Sequence, residues 1–264
     1  MPPLVTFTSD FGLTDWFVGV VHGVVHSVCA DAHIVDLTHS IPPGHVERAS
    51  FVLEAAAPDF PLGTVHLVVV DPGVGTDRLA LAVAARGHLF VGPDNGVLEW
   101  ALADPSARVH ALAEGRYFRH PVSRTFHGRD VFAPAAAHLA NGVAIGTLGP
   151  AVPIPARLAR APLIVRDGRL EGRVAYLDRF GNALTNLSAE ALTAAFAGVP
   201  ESGLAVEVVG RTIEGVQRSY GDVAIGTLVA LLGSSGRLEI AEAHGDAAKR
   251  FGIGLGDAVI VRPR

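Results

Sequence analysis

The chain has 264 residues, enough for one large domain or two smaller ones, and a formal charge of −5 with basic residues scattered along it. That balance excludes a nucleic-acid backbone as its natural partner. Nearly half the residues are apolar, yet no run approaches the roughly 18 residues of a membrane helix. One cysteine, Cys29, excludes an intrachain disulfide. The start, Met1-Pro2-Pro3-Leu4, shows no positive region before an apolar stretch. The expectation is a soluble, cytoplasmic protein with no secretory signal and no membrane partner.

Leu4–Thr8 reads as a first strand. Thr14 then offers an N-cap for a helix whose apolar residues Trp16, Phe17, Val20, Val21, Val24 and Val25 recur at helical spacing. Ile34–Leu37 is a short strand, and Glu47–Ala57 a helix stopped by Pro58. Val65–Val70, Leu79–Ala85 and His88–Val91 are further strands, and Val131–Asn141 a helix ended by Asn141-Gly142. This alternation predicts an α/β domain over residues 1–150 with a largely parallel, helix-flanked sheet. Residues 151–165, with Pro153, Pro155 and Pro162, read as a linker. Strand-like runs at Gly172–Leu177, Leu204–Val209, Val223–Leu232, Leu238–Ala241 and Ala258–Val261 predict a smaller β-rich domain over 166–264.

Two segments carry the chemistry. Asp71-Pro72-Gly73-Val74-Gly75-Thr76-Asp77-Arg78 follows a buried-strand pattern, and Thr125-Phe126-His127-Gly128-Arg129-Asp130 leads into a helix. Ligands of open α/β sheets sit at the carboxyl ends of strands, where such loops lie. Asp71, Arg78 and His127 supply a carboxylate, a fixed cation and a group that takes a proton near neutral pH. Asp-Pro-Gly is also ordinary turn chemistry, and Gly73-Val74-Gly75 fails as a dinucleotide fingerprint because Arg78 stands where the third glycine belongs.

Other polar groups have two readings each. Asp10 suits the hydroxyls of a ribose, or simply precedes a helix. Pro93-Asp94-Asn95-Gly96 is a turn signal. His22 and His26 stand four apart, with His33, His39 and His45 nearby. The glutamate of the zinc-protease pattern is missing and Gly23 weakens the helix, so surface or packed histidines are the ordinary reading and no metal is assigned. Asp178-Arg179-Phe180-Gly181-Asn182 offers a carboxylate for an ammonium group, an aromatic face and an amide. Gly233-Ser234-Ser235-Gly236 presents hydroxyls and amide N–H groups.

Six segments in one order carry a resemblance: Thr8–Gly12, Val70–Arg78, Pro93–Gly96, Thr125–Pro134, Asp178–Asn182 and Ser234–Ala241. Together they resemble the S-adenosyl-L-methionine hydroxide adenosyltransferase family, hydrolases related to the bacterial fluorinase and chlorinase. The resemblance runs nearly end to end. It implies a Rossmann-like N-terminal domain with a parallel sheet, a β-barrel-like C-terminal domain, and a homotrimer whose sites are shared between neighbouring subunits. It implies Asp71, Arg78 and His127 as the water-activating set. It also implies Asp10 on the ribose diol, Asp178 and Ser234 on the methionine end, Phe180 and Asn182 on the adenine side, and Phe126 and Gly128 lining the substrate. Gly44 replaces an aromatic, and Ala243 an asparagine, that relatives tend to carry.

The implied reaction is displacement of methionine from C5′ of S-adenosyl-L-methionine by water, giving adenosine, with no cofactor. Arginine cannot act as a base but stabilises hydroxide character, and histidine accepts the proton. The nearest rival is a halide-using relative; these carry tyrosines in place of Asp71 and His127, and the fluorinase has serine in place of Gly128. A non-catalytic binder of S-adenosyl-L-methionine or adenosine is the rival from another class.

Overall fold

The computed structural model describes residues 2–154 and 163–264. The chain divides into two compact units, Met1–Leu158 and Ala159–Arg264. Residues 155–162 of the expected linker lie outside the described residues. At its ends, Ala151 bridges to His110, and the first strand of the second unit starts at Ile164.

In the first unit the elements run β1 (Leu4–Ser9), α1 (Phe17–Val28), β2 (His33–Thr38), α2 (Val46–Ala56), β3 (Val65–Val69), β4 (Ala80–Ala85), β5 (His88–Pro93), α3 (Glu99–Leu102), β6 (Arg108–Ala111) and α4 (Ala133–Ala140). The sheet order is β2-β1-β3-β5-β4-β6. The first four of these are mutually parallel, as expected, but β4 runs antiparallel to both neighbours. The reason is local. Only Arg86 and Gly87, both at positive φ, join β4 to β5, and a parallel connection needs a dozen or more residues.

Strand alternation divides the core. Val5, Phe7, Leu67 and Val69 point into one apolar layer with α1 and α4. Val68, Val70, Val83 and Phe90 point into the other with α2 and α3. Helix α1 buries Val18, Val21, Val24 and Val25, but Thr14 is not its cap; Trp16 takes that place with no side-chain cap bond. The helix expected from Val131 is preceded by a π-helical turn, Gly128–Phe132. Among the described residues, no helix is long and apolar enough to cross a membrane.

His66 is fully buried in β3. Its Nδ1 is 2.8 Å from Thr6 Oγ1 on β1, and its ring stacks on Phe90 at 5.0 Å. Burial, with His88 beside it, lowers its pKa from 6.5 to about 3, so the ring is neutral in the folded protein.

The second unit comprises β7 (Ile164–Arg166), β8 (Arg169–Leu177), β9 (Ala183–Ser188), α5 (Ala189–Ala195), β10 (Leu204–Val208), β11 (Arg211–Glu214), β12 (Val216–Gln217), β13 (Leu228–Leu232), β14 (Arg237–Glu242), α6 (Ala247–Phe251) and β15 (Ala258–Pro263). The order β11-β10-β15-β8-β9-β14-β13-β12, with β7 on β8, makes a nearly closed, barrel-like sheet. Leu170, Val174, Leu187, Val206, Ile240 and Val261 are among the residues filling its interior. The strand expected over Val223–Leu232 is half as long, because Gly226 adopts φ 80° just before β13 begins. Ser188 caps α5 by accepting the Ala191 N–H, and Asp246 caps α6 by accepting that of Lys249.

Candidate active site

In the first unit the polar loops gather where β1 and β3 end. The run Val65–Val69 stays in the ladder; Asp71-Pro72-Gly73 then turns the chain, with the Val74 N–H donating to the Asp71 carbonyl at 3.2 Å. Thr76 Oγ1 closes the loop on the Gly73 carbonyl at 2.7 Å. Gly75 carries φ 81°, and a Cβ there would stand 2.7 Å from the Arg124 carbonyl oxygen. Only glycine lets the two catalytic-candidate loops approach this closely. Gly75→Ala is therefore expected to lower stability by about 1–3 kcal/mol and to reduce kcat by pushing Arg78 away from His127. Chemical denaturation alongside steady-state rates would check it; an alanine variant with unchanged Tm and kcat contradicts the packing.

The structure brings Asp71, Arg78 and His127 together. Arg78 Nε donates to Asp71 Oδ1 at 2.7 Å, and Arg78 Nη2 makes a second, close contact with Asp71 Oδ2. The fork is bidentate, and both side chains are largely buried. Arg78 Nη2 also donates to His127 Nδ1 at 3.0 Å. Arginine has no lone pair to offer, so Nδ1 must be the acceptor and a neutral His127 carries its proton on Nε2. The guanidinium further lies over the Phe132 ring, 5.2 Å from its centre.

Burial first, then the Arg78 charge, hold His127 below its ordinary pKa, against the opposing pull of Asp71 and Asp130. A neutral ring at pH 7 can accept a proton. The segment around it is pinned by Asp130, which is fully buried. Asp130 accepts from Arg129 Nε at 2.7 Å, Arg119 Nη1 at 3.2 Å and the Ser123 amide at 2.8 Å. The Thr125–Asp130 motif is thus half machinery and half anchor, a division its residue types alone do not reveal.

Asp10 Oδ2 accepts the Gly44 N–H at 2.8 Å, and a Cβ on Gly44 would touch Pro72 at 3.6 Å. The Asp10 and Asp71 loops are therefore neighbours through Gly44. Phe126 sits in an aromatic group with Phe11 and Phe17 at 5.8 and 5.3 Å. Gly128 is enclosed: a Cβ would lie 3.2 Å from Phe11 and from Val69, and 3.4 Å from Phe126. Asp94 joins the Arg78 surroundings; burial raises its pKa and Arg78 opposes the rise. Its turn signal gave no hint of this.

The second unit holds its own polar cluster. Asp178 accepts from the Phe180 amide at 2.8 Å, the Asn182 amide at 2.9 Å and Asn182 Nδ2 at 3.0 Å. Asn182, almost wholly buried, thus turns its amide nitrogen onto the carboxylate, while Phe180 is 74 % exposed. Tyr220 donates to Glu239 Oε1 at 2.5 Å. Burial raises Glu239, and the nearby Asp178 charge adds to it. Ser234 is exposed in the β13–β14 turn, and no direct bond joins it to Asp178 among the described residues. Neither Tyr220 nor Glu239 was singled out from sequence, although a charged residue between Leu238 and Ile240 in an apolar strand was the available signal.

Residues 5–149 match the SAM hydroxide adenosyltransferase N-terminal domain, and residues 172–260 match the C-terminal domain. An (R)-S-adenosyl-L-methionine hydrolase of Thermus thermophilus is 46% identical over 94% of this chain and 95% of its own. One from Salinispora tropica is 41% identical over 98% and 97%. A fluorinase of Nocardia brasiliensis stands further out, at 27% identity over 98% and 97%. A crystal structure of an uncharacterized conserved protein from Thermotoga maritima superposes with a TM-score of 0.91 at 35% identity, covering 98% of this chain and 99% of that one. The chain belongs to the SAM hydroxide adenosyltransferase family.

Proposed function

We propose that this protein hydrolyses S-adenosyl-L-methionine to adenosine and L-methionine by attack of water at C5′. The observation that carries the reading is the Asp71–Arg78–His127 set, hydrogen-bonded in one chain, in a protein nearly half identical to a hydrolase of that name. The sulfonium makes methionine a neutral leaving group. As the water oxygen bonds to C5′, the C5′–S electron pair returns to sulfur and one proton is released. Bulk water has a pKa of about 15.7, so its oxygen needs help. In the resting arrangement Arg78 occupies His127 Nδ1. A swing of Arg78 from the imidazole onto the incoming oxygen stabilises the developing hydroxide and frees Nδ1 to take the proton. Asp71 keeps its hold on the guanidinium through Nε, the nitrogen of its fork that His127 does not share. Alignment of the oxygen about 3–3.5 Å from C5′ supplies much of the remaining acceleration. The reaction so written uses no metal and no cofactor.

Asp10 is proposed to hold the ribose diol, and Phe126 and Gly128 to wall the nucleoside. Asp178 and Ser234 take the methionine end, Phe180 the adenine face, and Asn182 acts by fixing Asp178. The division of these groups between two units supports a homotrimer that completes each site with residues of a neighbouring subunit. Mixing inactive Asp10→Ala subunits with inactive Asp178→Ala subunits is then expected to restore part of the activity. A fully active monomer by light scattering would refute the shared site. A cytoplasmic setting fits Cys29, which is free and buried.

The test of the reaction is product analysis in ¹⁸O-water, with and without chloride. The expected result is one label on the adenosine 5′-hydroxyl and none in methionine. Unlabelled adenosine, or 5′-chloro-5′-deoxyadenosine as main product, overturns the hydrolase reading. The crowded surroundings of Gly128 also leave little room for the serine that the fluorinase carries there. Bound adenosine without turnover would favour the non-catalytic binder instead.

A further inference from the structure

Three side chains converge beside β1, on its β2 edge, with no part in the reaction above. His22 on α1, Asp36 on β2 and His39 just after it place their donor atoms within 4.8 Å of one another. Asp36 Oδ1 lies 2.9 Å from His22 Nε2 and 3.0 Å from His39 Nε2. Zinc held tetrahedrally at about 2.0–2.1 Å keeps neighbouring donors roughly 3.3 Å apart, so small side-chain rotations would suffice to admit an ion.

A second observation concerns His39. Its side chain is 2% exposed, yet no well-aligned hydrogen bond satisfies Nε2; Asp36 Oδ1, 3.0 Å away, is the polar atom beside it. The other nitrogen, Nδ1, is 2.7 Å from Ser9 Oγ, which also accepts the Phe11 N–H at 3.3 Å. With Nδ1–H donating to Ser9, Nε2 presents a buried lone pair beside the Asp36 carboxylate, a repulsion that a cation between them would relieve. Metal-ligating histidines are oriented in this way, by a hydrogen bond from the far ring nitrogen. His22 and Asp36 are about one-third exposed, which gives an ion an entry path and room for a water as fourth ligand. Phe7 packs on His39 at 4.7 Å and on His22 at 6.1 Å, a dry wall behind the ligands. Two imidazoles and one carboxylate suit zinc, cobalt or nickel rather than magnesium or calcium.

We infer that His22, Asp36 and His39 form a binding site for one zinc-class divalent cation. The site couples to the Asp10 loop, because the Gly12 N–H donates to the His39 carbonyl at 2.8 Å and Ser9 directly precedes Asp10. A bound ion ties α1 and β2 to the strand end from which Asp10 projects, a structural role separate from the chemistry at Arg78.

The test uses the full chain, stripped with a chelator and titrated with zinc chloride against a chromogenic competitor. One zinc per chain is expected. Asp36→Asn and His22→Gln should each weaken it by more than the roughly 10–100-fold that loss of an outer partner costs, and Ser9→Ala by about that amount. Cobalt should give the intense visible bands of four-coordination in the wild-type protein and lose them in both ligand variants. His22 and Asp36 lie at the surface, so circular dichroism should be unchanged. Two results overturn the site: a folded wild-type protein that binds no zinc, or zinc bound equally by the His22→Gln/Asp36→Asn double variant, as exposed histidines such as His26 would bind it.

Discussion

Replacing Arg78 by methionine is expected to lower kcat by about 10²–10³-fold, the range for losing one preorganised donor to a developing negative oxygen. Affinity for S-adenosyl-L-methionine should change little, because the guanidinium is held by Asp71 and His127 in the resting protein. Arg78→Lys should recover only part of the rate, since an ammonium cannot fork to both Asp71 oxygens. Loss of Arg78 also strands Asp71 as a buried charge, so the single variant should unfold more easily. Adding Asp71→Asn should restore stability without restoring turnover. His127→Gln should cost about 10²–10⁴-fold, and the triple variant barely more than the worst single one, because the groups work as a unit. Single-turnover rates with binding measured by calorimetry separate these outcomes. A near-normal kcat in Arg78→Met would falsify the role given to that cation.

The second large effect is on stability. His66 has a folded pKa near 3 against 6.5 when unfolded. Between those values the unfolded chain binds the extra proton, so stability is full above pH 6.5 and falls as the pH drops toward 3. The slope from this ring alone is about 1.4 kcal/mol per pH unit, or roughly 2–3 kcal/mol by pH 4.5. Burial lowers His88 as well, which adds to the trend. The double replacement Thr6→Val/His66→Phe removes both partners of the Thr6–His66 bond, at the cost of the longer 3.4 Å contact from His66 Nε2 to His88 Nδ1, so a modest loss of stability is expected at pH 7.5. Its unfolding free energy should depend less on pH than that of the wild-type chain. Guanidinium unfolding at pH 7.5 and 4.5 measures the difference, and equal slopes in the two proteins would remove His66 from the account.

The site was most legible where chemistry and strand pattern coincide. Val65–Val70 running into Asp-Pro-Gly announced both a strand and the loop beyond it, and Asp71, Arg78 and His127 meet as their residue types suggested. What stayed hidden depends on contacts across the fold. Strand β9, Ala-Leu-Thr-Asn-Leu-Ser, alternates buried Ala183, Thr185 and Leu187 with partly exposed neighbours. Its asparagine and serine blur that period against turn chemistry. The antiparallel direction of β4 is different: only Arg86 and Gly87 separate its run from that of β5, and a connection that short sets the direction in the sequence itself. Local spacing among the histidines does not show their contacts: His22 and His26 stand one helical turn apart, but His22 meets Asp36, and His26 faces solvent. No helical periodicity on α1 could reveal a partner on β2.

The π turn at Gly128–Phe132 has a consequence for how this site could arise and be lost. Helix α4 must keep its small residues, Ala133, Ala136 and Ala137, against the sheet, while His127, just before the turn, must face Arg78. One α-helical residue advances the chain by about 100°, so a regular helix through this stretch could satisfy one demand and miss the other. The wide turn takes up the phase difference, as π bulges in functional helices do. Removal of a single residue from 128–132 would then leave the alanine face seated and rotate the imidazole away from the guanidinium. The outcome is a chain that still folds but has lost its chemistry, reached by one deletion and reversed by one insertion.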